Sequence, residues 1–222
     1  MSPSLSRRIV PLSGLAFFLL VMVGNSIATG QSAVDHTHTG QEILANLRAH
    51  DGTAYWFGTA LELAGLLLLG VFAVFMVRRI RGAGVDGRLP AIALAGGLAT
   101  VAIKLLSGGP AIYAVVRDNQ ISPDTAKTLV AVNDWMFAAS WAGIGAFVAA
   151  GGIAAARAGL VPRPLGVAGA VFAALIAVGA AAGVEPGIFG YMLSLLWIAV
   201  VSVVLAVRQR RTRVVAAAPA TG

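Results

Sequence analysis

The chain is 222 residues long, with 58% hydrophobic and 11% charged residues and a mean hydropathy of +0.86. This composition is typical of an integral membrane protein and excludes an ordinary soluble domain. The sequence contains no cysteine, which excludes disulfides and thiolate metal sites.

Six apolar segments, each long enough to cross a bilayer, follow one another along the chain. We predict membrane-crossing helices at about residues 9–29, 55–78, 90–115, 123–156, 165–183 and 187–207, of which the fourth begins outside the membrane. The pattern predicts an all-α fold, a polytopic transmembrane helical bundle of six spans that forms a single domain over residues 1–213. Residues 214–222, which are rich in Ala and include one Pro, are predicted to be a disordered tail.

The longest polar stretch, residues 30–54, connects the first two spans. Ile43, Leu44 and Leu47 recur within it at helical spacing. This spacing predicts a short amphipathic helix that rests on the membrane surface.

Two later segments carry signals for helix boundaries. Ser122 followed by Pro123 favours a helix start, with the serine as N-cap and the proline in the first helical position. Pro110 follows Gly108 and Gly109 and removes a backbone donor, which favours a break in the third span.

Basic residues are distributed unevenly between the two sides of the predicted bundle. Twelve of the 16 Lys and Arg residues lie on the side of the N-terminus and three lie on the other side. This bias predicts that both termini are cytoplasmic and that residues 30–54 lie outside. Basic runs with this distribution set topology, so nucleic acid is excluded as a partner. The twelve are Arg7, Arg8, Arg78, Arg79, Arg81, Arg88, Arg157, Arg163, Arg208, Arg210, Arg211 and Arg213, and the three are Arg48, Arg117 and Lys127.

Three charged residues, Glu62, Lys104 and Asp134, lie inside the predicted spans. A charge within the bilayer is costly unless it is paired or has a function. Counting along each helix puts all three roughly 10 Å below the outer surface, at 1.5 Å per residue, with Asn25 and Asn133 near the same level. We therefore predict an intramembrane polar cluster in which Lys104 contacts Asp134, Glu62 or both.

The predicted cluster has three interpretations. In the first, the polar groups bond to one another and fix the register of the helices. In the second, they line an outward-facing cavity. In the third, they act as acid and base in intramembrane chemistry. No catalytic motif accompanies it, so an enzyme is the least favoured. No histidine lies within a span, which excludes a histidine-ligated intramembrane haem, and we predict no cofactor.

The polar stretch also carries Asp35, His36, His38 and, further along, His50. Imidazoles and a carboxylate are ligands that zinc and copper accept. Such histidine pairs are also common in loops that bind no metal. We therefore predict no metal site and keep these four residues as the weak candidates for one.

Two short motifs carry a resemblance to a known family. Residues 133–141 (NDWMFAASW) and 160–166 (LVPRPLG) resemble bacterial six-helix membrane proteins of the domain of unknown function 4386 family. The overall plan is also similar, with a first helix, a longer outer loop that carries the helical segment 42–46 (EILAN), and five further spans. That family has no established activity. The resemblance therefore implies a fold and a location in the bacterial cytoplasmic membrane, and no catalytic residues.

These observations favour a non-enzymatic integral membrane protein that binds a small molecule or a lipid headgroup in an outward-facing polar cavity. The alternative is a proton-coupled small-molecule transporter in which Glu62 or Asp134 is the protonation site. A cavity closed on its inner side by apolar side chains favours binding, whereas a polar path to the arginines at 78–88 favours transport. The predicted partners are membrane lipids and a small-molecule ligand, and further copies of the chain are a third candidate.

Overall fold

The computed structural model describes residues 10–29, 35–49, 52–182 and 184–217, and almost all of them are helical. Seven α-helices cover this described part of the chain, and a 3₁₀ turn at Val10–Leu12 precedes the first. They are α1 (Ser13–Thr29), α2 (Gly40–Ala49), α3 (Thr53–Gly82), α4 (Arg88–Val116), α5 (Pro123–Arg157), α6 (Arg163–Ala182) and α7 (Val184–Ala217).

Six of these helices are long and apolar enough to cross a membrane, and α2, with ten residues, is the exception. The predicted helical bundle of six spans is therefore confirmed, and the chain is a multi-pass membrane protein. In α7 the apolar part is Gly187–Gln209, close to the span predicted from hydropathy.

The six long helices form a ring. In it, α3 packs between α1 and α4, α5 between α4 and α6, and α7 between α6 and α1. From α3 onward the connections are short and make successive long helices antiparallel, so the helix ends alternate between the two faces of the bundle.

The two ends of the bundle differ in charge. One end, here the arginine-rich end, carries Arg78, Arg79, Arg81, Arg88, Arg157, Arg163 and Arg208. The other, here the α2 end, carries α2, residues 35–39 and the turn at 117–122. At the α2 end, Arg48 donates from Nη2 to the backbone oxygen of Asp118 (3.3 Å), and its Nε lies 3.8 Å from the Asp118 carboxylate. This contact ties α2 to the turn between α4 and α5.

Glycines allow the closest helix contacts in the ring. A methyl group added at Gly24 of α1 would lie 2.6 Å from the backbone oxygen of Gly58 on α3. One added at Gly96 of α4 would lie 2.6 Å from the backbone oxygen of Gly143 on α5. Lipid supplies no hydrophobic drive between helices, so such close backbone packing is a main source of their association.

Two polar side chains connect neighbouring helices through backbone groups. The Ser202 hydroxyl of α7 donates to the Pro11 oxygen (2.5 Å) and accepts from the Leu15 N–H (3.0 Å). It thereby satisfies a free donor at the start of α1. The Trp197 indole N–H donates to the Leu165 oxygen (2.7 Å) and joins α7 to α6.

The start of α5 confirms one boundary prediction. The Ser122 hydroxyl accepts a hydrogen bond from the Thr125 N–H (3.2 Å), and Pro123 is the first helical residue. The predicted break near Pro110 is wrong, because α4 continues through it to Val116. One proline removes a single helical donor, whereas a break inside the bilayer would leave several backbone groups without partners.

The amphipathic helix is present as α2, and its surroundings differ from the prediction. Ile43 and Leu44 are buried against Ala126 and Val130 of α5 rather than on a membrane surface. They reach these residues because α5 has 35 residues, roughly 52 Å at 1.5 Å per residue, and exceeds the ~30 Å bilayer core.

The last helix ends later in the chain than the domain boundary predicted at residue 213. α7 continues to Ala217, so residues 214–217 are helical rather than part of a disordered tail. The Val and Ala residues there extend the helix of the preceding arginine-rich segment without a helix-stop signal. The remaining residues of the predicted tail, 218–222, lie outside the described residues.

Candidate functional site

A cavity of about 280 Å³ lies inside the ring, in the half of the bundle nearest the α2 end. Its walls come from α1, α3, α4, α5 and α7, and they combine apolar side chains with several polar ones. The polar lining residues are Asn25, Tyr55, Thr59, Glu62, Lys104, Ser107, Asn133 and Tyr191. Four of the five residues predicted for the intramembrane cluster therefore share one cavity.

Glu62 of α3 and Lys104 of α4 face this cavity and are close enough to attract each other electrostatically. They do not form a direct ion pair: within the described residues, the Lys104 Nζ has no carboxylate oxygen within 4.0 Å. Instead, the Lys104 Nζ lies 4.1 Å from the centroid of the Phe137 ring. The predicted direct contact of Lys104 with a carboxylate is thus replaced by a cation–π contact.

Asp134 differs most from its prediction, because it does not line the cavity. Its Oδ2 accepts from the His36 backbone N–H (3.1 Å) and lies 3.0 Å from His36 Nδ1. Its Oδ1 accepts from Asn133 Nδ2 (3.3 Å). The predicted pairing with Lys104 is wrong at this residue, because Asp134 points in a different direction around the helix from its neighbour Asn133, which lines the cavity, and contacts His36 instead.

Two aromatic rings, Phe137 and Tyr191, line the cavity, and Trp141 packs against both of them. Phe137 meets Tyr191 edge to face, with centroids 5.2 Å apart, and meets Trp141 in the same way at 5.5 Å. Trp141 and Tyr191 stack at 5.8 Å. These contacts fix the ring over which the Lys104 ammonium lies.

Beyond the cavity, toward the arginine-rich end, the bundle interior is apolar. A layer of fully buried side chains fills it, namely Leu69, Phe72, Ile144, Phe147, Ile198 and Val201. The buried hydroxyls of Thr100, Ser140, Ser194 and Ser202 each donate to a backbone oxygen. Within the described part of the chain, the one buried charged side chain is Asp118, at the α2 end. The four hydroxyl side chains therefore bond to backbone oxygens, and apolar side chains fill the layer between them.

Residues 35–39 form a turn that is held by local hydrogen bonds. Asp35 accepts from the Thr37 hydroxyl (2.5 Å) and backbone N–H (2.8 Å), and these two bonds lower the pKa of Asp35 to about 2. Glu42 accepts from the backbone N–H and the hydroxyl of Thr39, both at 2.8 Å, which lowers the pKa of Glu42. This reciprocal cap starts α2.

The histidines of this turn have different partners. His38 Nδ1 lies 3.0 Å from Asp35, whereas His36 points to Asp134. Across the described residues, no three His, Asp or Glu side chains are grouped so that they could hold a metal ion. His50, the fourth weak candidate, lies outside the described residues.

Comparison with known proteins gives no relative to set beside this geometry, because no family model, no curated protein and no solved structure matches the chain. The resemblance to the domain of unknown function 4386 family therefore has no support from the comparisons and stays a prediction.

Sequence reasoning missed Tyr191 and His36 as parts of this region. Tyr191 had a detectable signal, since it is a tyrosine within an otherwise apolar span, and a buried tyrosine usually brings its hydroxyl to a polar site. His36 had none, because its contact with Asp134 joins residues 98 positions apart in the chain.

Proposed function

We propose that this membrane protein binds a small polar molecule or a lipid headgroup in the cavity between α1, α3, α4, α5 and α7. The observation that carries the proposal is the pair of charged side chains, Glu62 and Lys104, that face one cavity without contacting each other directly. Charges in a bilayer interior mark a functional site by default.

The size of the cavity supports a small ligand. At about 280 Å³, the cavity is slightly smaller than the ~300–1,000 Å³ typical of sites for drug-sized ligands. Its mixed lining, apolar with a few convergent polar groups, is also typical of such sites.

The apolar layer supports binding over transport. A proton or polar solute that crossed from Glu62 to the arginine-rich end would have to pass fully buried groups such as Leu69, Phe72 and Phe147. Desolvating a polar solute among such side chains is costly.

For orientation and location, we propose a bacterial cytoplasmic membrane with both termini in the cytoplasm and the cavity half facing outward. The support is the cluster of arginines at a single end of the bundle, as the positive-inside rule requires of a cytoplasmic face. Reporter fusions after Arg81 and Arg157 should read cytoplasmic, and fusions near Asp51 and Asp118 should read external. An external reading after Arg81 would reject this orientation.

Two adjacent glycines of α4 offer a matched test of ligand binding. Gly108 lines the cavity, whereas Gly109 is exposed and does not. A methyl group added at either position would have no atom within 4 Å, so both sites accept a side chain. Gly108→Leu should fill the cavity, and Gly109→Leu should leave it open.

The full-length wild type and both variants would be purified in native lipid, and the molecules that co-purify would be identified and quantified by mass spectrometry. We expect one small molecule or lipid to be retained by wild type and by Gly109→Leu and lost from Gly108→Leu. Equal retention by Gly108→Leu would show that the molecule binds elsewhere and would reject the cavity as the site.

A further inference from the structure

The two charges in the cavity are held apart by their surroundings. Lys104 lies over the Phe137 ring at 4.1 Å, and that ring is fixed by edge contacts with Tyr191 and Trp141. Glu62 lines the same cavity from α3. Although α3 and α4 are neighbours in the ring, the ammonium lies on an aromatic face rather than on the carboxylate.

A ligand with a single charge would leave this arrangement incomplete. An anion would be attracted by Lys104 and repelled by Glu62. A cation would be attracted by Glu62 and repelled by Lys104. A molecule that carries both charges a short distance apart complements both walls at once.

We propose that the cavity recognises a small zwitterion, with its ammonium group against Glu62 and its oxyanion against Lys104. This inference rests on the proposed function and specifies the chemical class of the ligand. A free amino acid and an ethanolamine-phosphate lipid headgroup share this chemistry. In both, a primary ammonium and an oxyanion are joined by a short linker.

The binding test compares zwitterions with small ions that carry only the positive or only the negative group. Full-length protein in phosphatidylglycerol nanodiscs would be titrated with glycine and O-phosphoethanolamine, and separately with methylammonium and acetate. We expect a zwitterion to bind at least about tenfold more tightly than either half, since a charged hydrogen bond is worth roughly a tenfold to hundredfold change in affinity.

Substitutions of Glu62 and Lys104 test which residue binds the ammonium group of the ligand and which binds its oxyanion. Glu62→Gln should weaken zwitterion binding by about 10- to 100-fold and leave acetate binding unchanged or stronger. Lys104→Met should weaken zwitterion binding to the same extent and leave methylammonium binding unchanged or stronger. Asp124→Asn and Lys127→Met are matched controls, because both residues are exposed on α5 and lie outside the cavity. Both should bind as wild type does.

The exchange variant Glu62→Lys/Lys104→Glu separates loss of zwitterion recognition from loss of folding. It keeps one charge of each sign and should bind the zwitterion more tightly than either single variant does. If it binds no zwitterion although its melting temperature equals that of wild type, the two-charge recognition is rejected.

A second measurement separates the two sources of ligand. In nanodiscs that contain phosphatidylethanolamine, native mass spectrometry should show this lipid retained by wild type and lost from Glu62→Gln if the headgroup is the ligand. If a free zwitterion is the ligand, glycine or O-phosphoethanolamine binds and the lipid is not retained. Either result supports recognition of a zwitterion.

Two results would overturn the inference without touching the proposed function. In the first, acetate or methylammonium binds as tightly as the zwitterions. In that case the substitution of the residue that does not pair with the bound ion, Glu62 for acetate or Lys104 for methylammonium, leaves zwitterion binding unchanged. In the second, no zwitterion binds while Gly108→Leu still removes a co-purifying molecule. Loss of that Gly108→Leu effect would instead reject the cavity site itself.

Discussion

The contact between α4 and α5 gives the sharpest prediction about stability. A methyl group added at Gly96 would lie 2.6 Å from the backbone oxygen of Gly143 and 2.8 Å from the backbone nitrogen of Phe147. Both atoms belong to the backbone of α5, so they cannot rotate away as a side chain would. Gly96→Ala should therefore force the two helices apart.

Gly70→Ala is the matched control. Gly70 lies inside α3, and an added methyl group there would meet its nearest atoms, side-chain carbons of Leu98 and Val101, at an ordinary 3.9 Å. Replacement of a mid-helix glycine by alanine stabilises a helix by about 0.5–1 kcal/mol, and this gain is common to both variants. The difference between them isolates the clash, which we expect to lower the free energy of unfolding by about 1–3 kcal/mol.

Equilibrium unfolding of both variants in the same mild detergent would measure this difference. Equal stability would refute the close contact at Gly96. The site should respond as well, because Gly96 lies eight residues before Lys104 on the same helix. When α4 moves away from α5, the Lys104 ammonium moves away from Phe137, and the co-purifying molecule should be retained less in Gly96→Ala than in Gly70→Ala.

Two further predictions concern contacts outside the cavity. Trp197→Phe removes the hydrogen bond to the Leu165 oxygen and should lower the free energy of unfolding by about 1–2 kcal/mol, as measured by the same unfolding assay. The folded-state pKa of Asp35, about 2, lies below the unfolded value of about 3.9, so its carboxylate stabilises the turn above pH ~4 and that contribution is lost as the pH falls toward 2. Hydrogen-exchange protection of the Thr37 amide should follow this dependence, and Asp35→Asn should show reduced protection already at neutral pH; unchanged protection in that variant would contradict the assignment.

The sequence was sufficient to predict the six spans, because a bilayer demands about 20 apolar residues for each helix and the loops between them are short. The start of α5 was predictable as well, since Ser122 and Pro123 act locally on the following turn. The environment of α2 was not. The spacing of Ile43 and Leu44 defines an apolar face, and it does not determine whether lipid or protein covers that face.

The candidate site was predictable in part for a related reason. Counting residues along each helix placed Glu62 of α3 and Lys104 of α4 at one level, and both side chains line one cavity. The same count was not sufficient for Asp134, because it gives a depth and not the direction in which a side chain points: Asn133, one residue earlier, lines the cavity, whereas Asp134 contacts His36. The lateral contacts, Lys104 with Phe137 and Asp134 with His36, depend on which helices are neighbours, and one sequence carries little information about that.

The arrangement of Glu62 and Lys104 also provides a test between the proposed binding site and a purely structural cluster. A charge inserted at the centre of a membrane helix costs about 2.5–3.5 kcal/mol, and a direct ion pair between neighbouring helices would recover part of that cost. In this chain, Lys104 lies over Phe137 instead, so the charges are kept at the expense of stability. Glu62→Gln/Lys104→Met should therefore unfold with at least the wild-type free energy when no ligand is present, and should lose the extra stability that a bound ligand gives the wild type. A ligand-free double variant less stable than wild type would show instead that the two charges hold the bundle together.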